Sequence, residues 1–92
     1  MDRERLFAIV TGLVQGVNFR AFIRRRALEL ELSGYVRNRA DGAVEIISEG
    51  SRGQLDRLAD AARRGSPAAR VENVETDWSA ATGEFTRFEI RF

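Results

Sequence analysis

The stretch Gly12-Leu13-Val14-Gln15-Gly16-Val17-Asn18-Phe19-Arg20 constrains this chain more than any other. It follows an alternating apolar run, Leu6 to Thr11, and leads directly into a segment of helical periodicity. Two glycines four apart let a backbone turn sharply and bring its N–H groups close to a guest. A loop of that kind at a helix start presents several unpaired amides and the positive end of the helix dipole, for which phosphate is the usual partner. Arg20 closes the loop with a planar, permanently charged fork that grips two phosphate oxygens at once. The stretch therefore reads as a site for a small anion, with phosphoryl as the natural choice.

Composition narrows the chemistry. The 92 residues include no His, no Cys and no Lys, so every basic residue is Arg. That removes the serine–histidine–aspartate triad, cysteine nucleophiles, Schiff bases, the phosphate-loop lysine and the usual zinc sites. A phosphoaspartyl route needs an Asp at the anion loop, and the loop has none. Direct attack by a positioned water on an already reactive phosphate is what remains. A net charge of +1 supplies no global field to attract nucleic acid or an anionic membrane. No apolar run approaches membrane-spanning length, and Met-Asp-Arg-Glu-Arg at the start carries no signal-peptide core. The expectation is a cytoplasmic chain, one domain over residues 1–92, monomeric by default.

Taken in order, Leu6 to Thr11 reads as a first strand. Phe19, Phe22, Ile23, Ala27 and Leu30 fall on one helical face, predicting a helix from about Phe19 to Glu31. Gly34 is expected to take its left-handed cap. Phe19 and Phe22 read as core plugs. Arg24-Arg25-Arg26 point about 100° apart and form no single patch, although Arg24 lies one turn beyond Arg20. Tyr35 to Arg39 and Ala43 to Glu49 read as strands joined at Asp41-Gly42, a strong hairpin signal. Asn38, near the end of the first arm, reads from spacing alone as a turn former. Ser51-Arg52-Gly53-Gln54 has the form of a capping box opening a second helix, with Leu55, Leu58, Ala59 and Ala62 as its buried stripe. Val74, Thr76 and Trp78, then Phe88, Ile90 and Phe92, alternate as two closing strands around a polar loop from Ser79 to Glu84. Strand, helix, strand, strand, helix, strand implies an α+β, ferredoxin-like (βαββαβ) two-layer sandwich with an antiparallel sheet and both helices on one face.

The first stretch resembles the acylphosphatase signature G-x-V-Q-G-V-x-F-R at every fixed position. Gly34-Tyr35-Val36-Arg37-Asn38, then Asp41-Gly42-Ala43-Val44-Glu45 and Gly50, match that family's second signature at the expected separation. The resemblance continues through Ala69-Arg70-Val71 to Phe88-Glu89-Ile90-Arg91-Phe92. It implies hydrolysis of an acylphosphate to a carboxylate and inorganic phosphate. Arg20 would hold the phosphoryl oxygens, the backbone amides of Gln15, Gly16, Val17, Asn18 and Phe19 would complete the cradle, and Asn38 would orient the attacking water. No cofactor or metal is expected, and the partners are a small acylphosphate and its phosphate product, not nucleic acid or membrane. Two positions depart from the pattern: Asn18 fills the variable slot, and Glu31 stands where the family often has Gly. A non-catalytic anion-binding module of the same fold is the alternative. An RNA-binding module would want aromatics on a central strand, and Ala43-Val44-Glu45-Ile46-Ile47 has none.

Overall fold

The computed structural model describes residues 3–92 as a five-stranded sheet and two helices. In chain order these are β1 (Glu4–Leu13), α1 (Phe19–Glu29), β2 (Ser33–Asn38), β3 (Val44–Gly50), α2 (Arg52–Arg64), β4 (Arg70–Ala80) and β5 (Phe88–Arg91). The strand order across the sheet is β4-β1-β3-β2-β5. Successive strand residues face opposite ways, so Leu6, Ala8 and Val10 of β1, Val36 of β2, Val44 and Ile46 of β3 and Phe88 of β5 form one buried face. Phe19, Ile23 and Ala27 of α1 and Leu55, Leu58, Ala59 and Ala62 of α2 join them in a single core. Phe22 packs against this core, only partly buried. Both helices therefore cover one face of the sheet.

The sheet is mixed, not antiparallel throughout. β1 pairs antiparallel with β3 and β4, and β2 with β3, but β5 pairs parallel with β2, Val36 level with Ile90 and Arg37 with Arg91. The reason lies in the connection after β4. That strand ends beside the start of β1, with Ala80 level with Glu4, and residues 81–87 cross to the opposite edge at the same end of the sheet. β5 must then start where β2 starts and run with it. Both strands consequently finish at the opposite end, where α1 begins.

The end of α1 also differs from expectation. The helix stops at Glu29, and the left-handed position falls on Glu31 (φ 58°) instead of Gly34. Leu32 N–H donates to Ala27 O at 2.9 Å and Glu31 N–H to Leu28 O at 3.1 Å, the paired bonds of a Schellman cap. Gly34 sits inside β2, where a Cβ would lie 2.8 Å from Ser48 Cα. Its glycine serves close strand approach. Ser51 does cap α2, accepting from Gln54 N–H at 3.4 Å.

Candidate active site

Gly12 and Gly16 have different duties. Gly12 lies within β1 at a bulge against β4, and a Cβ there would sit 2.8 Å from Glu72 N. It fits two strands together and does not approach a ligand, contrary to the paired role read from the sequence. Gly16 (φ 75°) has open space where a Cβ would project. Two residues on, Asn18 is left-handed as well (φ 63°, ψ 19°), a conformation Asn tolerates better than most residues. Asn18 occupies the N-cap position of α1 without a side-chain capping bond. The chain thus turns twice between Leu13 and Phe19. Among the described residues, no acceptor pairs with the backbone amides from Gln15 to Arg20. These donors meet the positive end of α1.

Four residues anchor the loop. Val14 and Phe19 are buried in the core. Ser66 Oγ donates to Val17 O at 3.1 Å. The Gln15 side chain points away from the anion loop: its Nε2 donates to Arg39 O at 2.8 Å and to Ala43 O at 3.0 Å, strapping the loop to the β2–β3 hairpin. Only the backbone of Gln15 remains for the cradle. Nothing in the spacing signalled the strap, because it joins residues 24 and 28 positions apart.

Gly16, Val17, Asn18, Phe19 and Arg20 line a cleft of about 610 Å³, closed on the other side by Ala68, Ile90 and Phe92. The Arg20 guanidinium lies 4.8 Å from the Phe92 ring centroid, and its Nη1 is 3.5 Å from Arg91 O. Among the described residues no carboxylate pairs with Arg20. The cation is thus steered by an aromatic face and a carbonyl, neither of which neutralises it.

Asn38 does not line this cleft. It ends β2 two residues after buried Val36, hence on the helix-covered face, one residue beyond the Arg37 that pairs with Arg91. The Gln15 strap grips the carbonyl of the next residue, Arg39. Arg20 and Asn38 therefore share one end and one face of the sheet. Asn38 Oδ1 is buried and accepts no hydrogen bond among the described residues. An unpaired buried acceptor costs about 1–3 kcal/mol and calls for an explanation, a catalytic role or a bound water among them. A water hydroxyl is a suitable donor. No group of three His, Cys, Asp or Glu among the described residues converges as metal ligands.

The acylphosphatase family model matches residues 6–90, so the chain belongs to the acylphosphatase family. It is 46% identical over 92 residues to the acylphosphatase of Pelotomaculum thermopropionicum, covering 100% of both chains. To that of Deinococcus radiodurans it is 51% identical over 79 residues, covering 86% of this chain and 91% of the relative. The crystal structure of acylphosphatase from Bacillus subtilis superposes with a TM-score of 0.93 at 37% identity, covering 97% of this chain and 99% of that one.

Proposed function

We propose that this acylphosphatase cleaves the carboxyl–phosphate anhydride by direct attack of water, releasing a carboxylate and inorganic phosphate. The observation that carries the reading is the convergence of unpaired amides and the unneutralised Arg20 on one cleft. In the transition state charge spreads over the phosphoryl oxygens, and preorganised donors act where that charge develops. Arg20 holds two oxygens; the amides of Gln15 to Phe19 take the others. Asn38 accepts an O–H of the attacking water and aims its lone pair at phosphorus. The anhydride supplies a good leaving group, so a strong base is unnecessary, and the phosphate itself can receive the water's proton.

The same proposal has the enzyme working as a cytoplasmic monomer without a metal. Among the described residues no helix is long and apolar enough to cross a membrane. The test is release of phosphate from benzoyl phosphate and acetyl phosphate, with and without a chelator, alongside sedimentation of the protein. Stoichiometric phosphate release insensitive to chelation is expected. Phosphate binding without turnover would favour the non-catalytic module instead.

A further inference from the structure

Ser66 reaches the anion loop without touching the site. It is buried, follows the C-terminal turn of α2, and lines no part of the cleft that holds Arg20. It lines a separate, smaller cavity, which the loop shares through Asn18. The backbone of Ser66 is fixed from three directions. Gly65 caps α2 by donating to Ala61 O at 2.9 Å, and Ala69 N–H donates to Ser66 O at 2.9 Å. Pro67 restricts the residue before it to extended backbone. From that rigid mount the Ser66 hydroxyl donates to Val17 O at 3.1 Å. A carbonyl only accepts, so the hydroxyl proton must point at it.

A peptide unit is planar and trans, so its C=O and the following N–H point in opposite directions. Holding Val17 O against Ser66 therefore turns Asn18 N–H away from Ser66. That amide has no acceptor among the described residues, and Val17 and Asn18 both line the Arg20 cleft. The same bond holds strain. Asn18 is left-handed (φ 63°, ψ 19°), and its side chain makes no capping bond that would favour this. Its carbonyl is committed to α1, accepting from Phe22 N–H at 3.1 Å, so a reversal would fall on the peptide before it. A half-turn of that peptide would carry φ of Asn18 from 63° to about −117°, which is ordinary for an L-residue. It would also put a carbonyl where the amide had been. A left-handed residue other than glycine persists only where its surroundings over-determine it. Resting on the acylphosphatase reading, we propose that Ser66 is a positioning residue. Its hydroxyl keeps the Val17–Asn18 peptide from turning over, so that Asn18 N–H, and not Val17 O, faces the phosphoryl group.

The experiment combines benzoyl phosphate kinetics with the amide NMR spectrum during titration with inorganic phosphate. It uses the wild type, Ser66→Ala, Ser66→Thr and the double variant Ser66→Ala with Asn18→Gly. In the wild type phosphate should shift the Asn18 amide strongly. In Ser66→Ala that shift should be lost and kcat should fall by about tenfold to 10²-fold, up to what one preorganised donor supplies. KM should rise by less than about threefold, because the donor acts most where charge develops in the transition state. Ser66→Thr keeps the hydroxyl donor and should hold kcat within about threefold of wild type. The double variant should regain part of the lost kcat, since glycine takes positive φ without penalty and no longer favours the reversed peptide. An unaltered kcat in Ser66→Ala overturns the proposal. So does a wild-type phosphate shift of the Asn18 amide in Ser66→Ala, or a double variant no faster than the single one; either would make Ser66 a support for the fold alone. Wild type inactive on benzoyl phosphate would remove the enzyme reading, yet the Asn18 shift and its loss in Ser66→Ala would still decide the positioning role.

Discussion

Two loops at opposite ends of the sheet are built from the same parts and end differently. At the end where β2 and β5 start, residues 82 and 83 point their amides at a carboxylate. Glu49, fully buried, accepts from Thr82 N–H at 2.9 Å, Gly83 N–H at 3.0 Å, Thr82 Oγ at 3.1 Å and Arg5 Nε at 2.8 Å. At the other end, among the described residues, no carboxylate accepts from the amides of residues 15–20 or pairs with the guanidinium of Arg20. One cradle carries its own anion and is structural. The other is the proposed phosphoryl site. The same motif is a clamp or a site according to whether the chain supplies the negative charge.

The sharpest way to break this comparison is to remove the unneutralised cation. Arg20→Ala should lower kcat by about 10³-fold or more, as expected for loss of a transition-state guanidinium. It should also abolish the thermal stabilisation that phosphate confers on the wild type through binding the folded state. Near-normal turnover would make the loop another clamp. Asn38→Ala should reduce kcat by about 10²-fold, the effect of losing one preorganised group, while phosphate inhibition stays within about threefold. Parallel loss of both would place Asn38 in the cradle instead of opposite it.

At the structural end the expected effect is on folding. Glu49→Ala strands Arg5 and two amides and should cost about 3 kcal/mol in urea unfolding. Burial alone would raise the Glu49 carboxyl; the donors from Thr82, Arg5 and Gly83 outweigh it and hold it below the ordinary 4.5. Glu45 is likewise lowered, burial being overcome by Arg37 and the Tyr35 hydroxyl. A depressed carboxyl adds stability that is full above its unfolded value and lost as pH falls through the folded one. Acid unfolding of the wild type should therefore steepen below pH 4.5, and Glu49→Gln should lose part of that dependence. The smallest change is Glu31→Gly, which relieves a left-handed residue and should stabilise the fold by about 1 kcal/mol with kcat unaltered. A change in kcat would show that the two ends communicate.

Legibility in the sequence follows the same division. The turn into α1 was readable because its parts are contiguous: glycine, cap, helix start and Arg20 lie within nine residues. The helices and hairpin were readable from periodicity and from Ser51 and Asp41-Gly42. Asn38 was different, since spacing made it a turn former and only the family signature raised it further. Its place beside the loop depends on strand register, which local pattern does not encode. The Gln15 strap, the Glu49 clamp and the Phe92 wall all join distant residues and left no local trace. Gly34 misled because glycine serves close approach and left-handed caps alike, and here the cap went to Glu31. The parallel β5 escaped notice because its direction is decided by where the preceding loop crosses.

If the proposed site is the active one, that last strand also sets when activity can emerge. The cradle comes from residues 14–20 and the facing wall from Ile90 and Phe92, so a refolding chain that has paired its first three strands still lacks half the cleft. Contacts between such distant segments are late and slow to close. Return of catalytic turnover after dilution from denaturant is therefore a clock for β5 docking, and it should trail the recovery of helical signal.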